Sequence, residues 1–284
     1  MLFFGLDQKD AKMWDAVLFD PTSNQTDTCE IPPLPEKDVK VAKISLIENV
    51  LYAFGENGAL FSLDEQRWNT VASRMKVPRT KAPVIVLQDG RWFVSGGIES
   101  SGKYRPLHSS EILTTLQGWE EGPSLADHRT SHCMVEVSKN RILIAGGIKG
   151  ETVTKSAFIL DLDENTSSPV GRLIKTRTDH SCALFENKVY LVAKPRGSRN
   201  CETEIFEDGA WKEGPHFPTQ ISDQGSLAVV QNHLFYSDAG NMYRLINDQW
   251  EQVDASKLRK ESVLPLTVLT LKSNTDKLCL FPDM

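Results

Sequence analysis

Runs of four to six apolar or β-branched residues recur along this chain, each cut off by Gly, Asn, Asp or Pro. The stretch from Thr130 to Leu173 carries the pattern in its most complete form. It predicts strands at Ser131–Val137, Ile142–Ala145, Ala157–Asp161 and Val170–Leu173, with Lys139-Asn140 as a turn and Gly146-Gly147 ending the second strand. Apolar runs of this length between turn-forming residues are the mark of short strands joined by tight connections. Four such strands make a sheet with two apolar faces, which it cannot bury alone. Further copies of the unit are therefore expected.

The copies are there. Trp92-Phe-Val-Ser-Gly-Gly97 returns as Ile142-Leu-Ile-Ala-Gly-Gly147, 50 residues on, and Arg129-Thr-Ser-His132 returns as Arg177-Thr-Asp-His180, 48 residues on. Gly118-Trp-Glu-Glu-Gly-Pro123 is echoed by Ala210-Trp-Lys-Glu-Gly-Pro215, and Met1–Asp20 aligns without a gap on Ile142–Asp161. A strand-built period near 50 predicts radially stacked sheets. The 284 residues hold six units of about 47.

The first unit starts mid-sheet, with predicted strands at Met1–Gly5, Trp14–Phe19 and Thr28–Leu34. The second takes Val41–Ile47, Leu51–Phe54, Ala59–Leu63 and Trp68–Val71. The third spans Pro83 to Leu125, with a long loop at Ile98–Leu107 before a strand at Glu111–Thr115. The fifth covers His180–Phe217 and carries the basic loop Lys194–Arg199, and the sixth covers Gly225–Val253. Leu264–Leu271 is then left as a first strand without partners, which is the strand that the first unit lacks. Lys277–Phe281 competes with Met1–Gly5 for the second-strand place.

The glycine pair after the second strand, the Trp of the fourth strand (Trp68, Trp119, Trp211, Trp250) and the linker with Arg and His resemble the kelch repeat, and the resemblance covers essentially the whole chain. It implies an all-β, six-bladed kelch-type β-propeller of four-stranded antiparallel blades. In that reading residues 1–284 form one domain, and the C-terminal strand joins the N-terminal blade to close the ring. It points in particular to the propeller domains of BTB-kelch proteins.

Composition narrows the choice of partners. The net charge is −6 and no Lys/Arg run exceeds two residues, so a nucleic-acid or anionic-membrane surface is not expected. No apolar run approaches the roughly 20 residues of a membrane span. Five widely spaced cysteines without a CxxC suggest neither a disulfide framework nor a zinc site. Cys133 and Cys182 are expected as small buried thiols, and with them a reducing, cytoplasmic or nuclear compartment.

Candidate chemistry lies at the linkers and loops. Arg79, Arg129 and Arg177 recur at one place in successive units, so a ring brings three guanidiniums toward one mouth of its channel. Guanidinium clusters suit carboxylates. Tyr104, Arg105, His108, Arg196 and Arg199 add aromatic and cationic groups from neighbouring loops. The resemblance then implies a non-enzymatic module that binds an acidic peptide or protein, with substrate recognition for a cullin-type ubiquitin ligase as its role. The competing readings are a propeller enzyme resembling sialic acid epimerases or metal-dependent oxidases and specifier proteins, and an actin-binding kelch protein. No catalytic motif, metal site or cofactor is indicated by the residues.

Overall fold

The computed structural model describes residues 14–20, 25–36, 39, 41–47, 50–64, 67–72, 74–100, 104–114, 118–193, 201–221, 225–230, 232–238 and 241–253, with the pairs 2–3 and 268–269. Sheet 4 shows how each unit is made. Cys133–Ser138, Arg141–Ala145, Ala157–Asp161 and Thr166–Val170 lie side by side in chain order, each antiparallel to the next. Its second strand is buried on both faces: Ile142, Leu143, Ile144 and Ala145 are all fully covered. Leu143 and Ala145 pack with Val189, Leu191 and Ala193 of the following unit. Ile142 and Ile144 pack with Phe93 of the preceding one. Each fully buried large apolar side chain contributes about 1.5–3 kcal/mol, so the core lies between sheets rather than within any one of them.

The same order of strands recurs in sheet 2 (Val41–Ile47, Val50–Gly55, Leu60–Asp64, Arg67–Ala72) and sheet 3 (Val84–Val86, Trp92–Ser95, Ser110–Thr114, Gly118–Gly122). It recurs again in sheet 5 (Ser181–Phe185, Lys188–Ala193, Glu202–Glu207, Ala210–Glu213) and sheet 6 (Ser226–Val230, His233–Asp238, Asn241–Ile246, Gln249–Val253). Sheet 1 is assembled from both ends: Val268–Leu269 pairs with Leu2–Phe3, followed by Trp14–Asp20 and Gln25–Ile31. The second-strand place thus belongs to the N-terminal segment; Lys277–Phe281 lies outside the described residues. The architecture is all-β, built from repeated four-stranded antiparallel sheets that resemble propeller blades.

Two expected strands are displaced. The fourth strand of sheet 4 is Thr166–Val170 and not Val170–Leu173, because Asp161 pairs with Thr166 directly across the turn. That outer strand is mostly exposed, so apolar residues do not mark it. In sheet 1 the last strand begins at Gln25 for the same kind of reason, opposite Asp20. The hairpin turns follow from residue type: Asn247 and Asp248 both take left-handed backbone, φ 47 and 58, the type I′ geometry that Asn and Asp tolerate.

The fourth-strand tryptophans reach backwards. Trp68 Nε1 donates to Pro32 O at 2.6 Å, Trp119 Nε1 to Gly58 O at 3.0 Å, and Trp250 Nε1 to Thr203 Oγ1 at 3.0 Å, each in the preceding unit. Among the described residues no helix is long and apolar enough to cross a membrane.

The cysteine expectation is corrected. Cys133 and Cys182 are joined as a disulfide, their Cα atoms 5.9 Å apart, across the first strands of sheets 4 and 5. Their separation of 49 residues is one repeat, and stacking copies brings equivalent places together. Paired in this way, the two cysteines no longer point to a reducing compartment.

Candidate functional site

Each linker arginine is consumed inside its own unit. Arg79, Arg129 and Arg177 are 2%, 0% and 1% exposed. In all three, Nη1 donates to the carbonyl that ends the second strand: Gly96 O at 3.1 Å, Gly146 O at 2.6 Å and Ala193 O at 2.7 Å. Carboxylates balance the charge. Arg79 Nη2 donates to Glu111 Oε1 at 2.6 Å, and Arg177 Nε to Glu204 Oε1 at 2.8 Å. Those carboxylates also accept linker N–H groups, from Lys76 and Val77 and from Ile174 and Lys175. In sheet 4 the corresponding third-strand residue is Phe158. Asp127 takes over there, accepting from Arg129 Nε and Nη2 at 2.9 and 2.8 Å, while the guanidinium lies 5.1 Å from the Phe158 ring centre. Burial pulls the Arg79 guanidinium below its ordinary value, and Glu111 opposes the shift.

The same linkers join neighbouring units. Gly97 N donates to Arg129 O and Gly147 N to Arg177 O, both at 2.8 Å. His132 Nε2 stands 3.0 Å from Ser95 Oγ, and His180 Nε2 donates to Ala145 O at 2.9 Å. The glycines are needed for this approach, since a Cβ on Gly146 would stand 2.7 Å from His180 Cε1. Burial, reinforced by Arg129 and His180, holds His132 well below the usual imidazole range; burial holds His180 at about 4. Both rings are neutral near pH 7 and serve the scaffold.

A pocket of about 230 Å³ opens beside the Arg79 linker, lined by Glu99, Arg105, Leu107, His108, Ser109 and His128, among others. Its loop is pinned by backbone bonds from Leu107 N to Gly97 O at 2.9 Å and from Arg129 N to Leu107 O at 3.0 Å. Arg79 supports it from beneath: its strand Arg79–Thr80 pairs with Ile98–Glu99, and Nη1 donates to Ser109 O at 2.8 Å. Arg105 Nη1 donates to Glu99 Oε2 at 3.0 Å, an exposed pair worth at most about 1 kcal/mol, so a ligand can exchange with either member. The His108 and His128 rings meet edge to face, 4.6 Å apart. Tyr104, 63% exposed, extends to the next unit, where its hydroxyl donates to Gly150 O at 3.4 Å.

Of the residues singled out from the sequence, Arg105 and His108 share this pocket, and Tyr104 stands beside it. Arg79 underlies the pocket without opening into it, and Arg129 and Arg177 are spent on internal acceptors. Arg196 and Arg199 lie outside the described residues. Sequence reasoning missed Glu99 and His128. Pro78, His128 and Thr176 occupy one place in successive linkers. A titratable side chain in one copy of a repeat whose other copies lack it was the available signal.

No family model matches the chain. Spermatocyte protein spe-26 of Caenorhabditis elegans is 24% identical over 186 residues, which is 60% of this chain and 32% of that protein. The chain thus spans about a third of the length of the curated relative it matches. The solved structure of YjhT superposes with a TM-score of 0.68 at 13% identity, covering 88% of this chain and 93% of that one. The fold is a repeat-built, blade-like all-β propeller. The match to YjhT also corrects the expected function. With Arg79, Arg129 and Arg177 sealed on internal acceptors and the YjhT propeller as a structural match, the reading as a non-enzymatic, protein-binding ligase adaptor is not kept. The exclusion of enzyme chemistry is withdrawn as well.

Proposed function

We propose that this protein is a propeller enzyme that performs acid–base chemistry on a small sugar acid, the substrate class of the sialic acid epimerases that it resembles. One observation carries the reading: a carboxylate, a guanidinium and two imidazoles line a single pocket of about 230 Å³. That volume lies below the roughly 300–1,000 Å³ of sites for drug-sized ligands, and suits a monosaccharide. The substrate carboxylate pairs with Arg105 and releases Glu99 from it, since guanidinium and carboxylate match in charge and geometry. Glu99 then takes the proton of the anomeric hydroxyl while an imidazole, His108 or His128, delivers one to the ring oxygen. The ring carbon–oxygen bond breaks, the carbonyl form rotates, and reclosure with the reverse proton movements gives the other anomer. No proton is gained or lost overall. Imidazole and carboxylate are the side chains best suited to such transfers. Among the described residues no group of three His, Cys, Asp or Glu side chains is placed to hold a metal ion.

The test is anomer exchange of N-acetylneuraminic acid followed by NMR saturation transfer. The protein should speed exchange at least tenfold over buffer, with Arg105→Ala raising KM and His108→Ala or His128→Ala lowering kcat. An unchanged exchange rate with folded protein overturns the reading.

We further infer that the six sheets close into one kelch-type ring across residues 1–284, with Val268–Leu269 as the closing strand. Contacts between first strands support this: each of the six touches that of the next sheet, and Val268–Leu269 lies against those of both sheet 6 and sheet 2. The glycine pairs, linker arginines and fourth-strand tryptophans support the kelch kinship.

A further inference from the structure

We propose that Cys133 and Cys182 form a redox-controlled staple that sets the rigidity of the junction between sheets 4 and 5 and of the linker running from it to the pocket. The pair joins first strands of consecutive sheets. Among the described residues no other junction between sheets carries a cross-link. A chain of 284 residues with cores between its sheets does not need a disulfide to fold, unlike a small secreted domain. The two residues differ in exposure: Cys133 is 4% exposed, whereas Cys182 is half-buried.

The chemistry is thiol–disulfide exchange with a small thiol of the glutathione class. Its thiolate attacks Sγ of the more exposed residue, Cys182, the bond between the two sulfurs breaks, and Cys133 leaves as a thiolate that takes up a proton. A second small thiol attacks the mixed disulfide and releases Cys182 as a thiol. The protein pair gains two electrons and two protons, and two small thiols become one disulfide.

The junction is placed to transmit the change. Cys133 is five residues from the pocket residue His128, on one continuous segment. Within that segment Ser131 has left-handed backbone at φ 51 and is bonded to both neighbouring linkers: its N–H donates to Lys81 O, and its carbonyl accepts from Asp179 N. Thr130 Oγ1, Ser131 Oγ and His132 Nδ1 are buried there without hydrogen-bond partners. A segment so strained and incompletely bonded gains much from a covalent tie at its end, and loosens when the tie opens.

The experiment equilibrates the full chain across a series of glutathione redox buffers, quenches by alkylation under denaturing conditions, and identifies the labelled cysteines by mass spectrometry. Cys133 and Cys182 should gain label together, in one two-electron transition. Hydrogen exchange at residues 128–137 and 181–193 should quicken at least tenfold on reduction, while sheet 2 remains unchanged. The double variant Cys133→Ser/Cys182→Ser should exchange like the reduced protein and ignore dithiothreitol; if it fails to fold, the wild-type redox series decides alone. Labelling of both cysteines at every poise, or of neither at any, overturns the proposal, as does exchange that is equal in the two states. None of these readouts depends on sugar turnover.

Discussion

Glu111, Phe158 and Glu204 stand at one place in three successive third strands, and their differences govern how each buried guanidinium is neutralised. Where Glu stands, a single carboxylate ties the arginine and two linker N–H groups together. Where Phe stands, the charge partner moves to Asp127, which is 12% exposed rather than sealed. Removing one partner of a sealed pair leaves an uncompensated charge, at a cost of about 3–5 kcal/mol. Glu111→Gln, which takes from Arg79 its one carboxylate, should therefore lower stability by roughly that amount in urea denaturation, and Glu204→Gln by clearly less, because Glu202 Oε2 still stands 3.5 Å from Arg177 Nη2. The buried imidazoles give a second test. His180 is protonated less readily folded, at about 4, than unfolded, near 6.5, so between those values the unfolded chain binds more protons. The stabilisation is complete above pH 6.5 and is lost as pH falls toward 4. The thermal midpoint should drop across that window, and His180→Gln, whose amide can still donate to Ala145 O, should flatten the drop.

At the scale of elements, the glycine pair is the seam between units. Gly146 combines φ 63 with contacts to His180 and Arg177 O that leave no space for a Cβ. Gly150 has nearly the same backbone, φ 61, but open space around it. Gly150→Ala should cost only the roughly 1–2 kcal/mol of left-handed backbone, and Gly146→Ala distinctly more, as measured by chemical denaturation midpoints. Strands were legible where burial is two-sided: Ile142–Ala145 is apolar throughout because sheets cover both of its faces. The outer strand Thr166–Val170 was misplaced because solvent on its free side permits Thr, Ser and Pro. The two-residue ribbons Arg79–Thr80 with Ile98–Glu99 and Arg129–Thr130 with Ile148–Lys149 were not foreseen. Their pairing is set by the linker arginines and not by any periodicity of their own.

For the whole molecule, the consequential element is a strand of only two residues, Val268–Leu269. If Val268–Leu269 closes a ring, disturbing it should destabilise every sheet together and expose strand edges that invite association. Val268→Pro should cost about 1–3 kcal/mol for a ladder bond left unmade and should promote oligomers at high concentration, seen by light scattering. A variant that keeps the parent's stability and state of association would mean an open arrangement. The pocket is also a product of assembly at this scale, since its loop comes from one unit and His128 from the linker into the next.

The order of apolar and turn-forming residues determined the buried inner strands and the repeat near 50 residues, because strand formation answers to near neighbours and to which faces are covered. Only the folded arrangement decided whether a recurring arginine meets solvent or a buried carboxylate, and whether two cysteines 49 residues apart meet at all. It also brought Glu99 and His128 to one pocket. Such outcomes turn on distances of a few ångströms between residues far apart in the chain, and those distances are fixed by how the sheets stack.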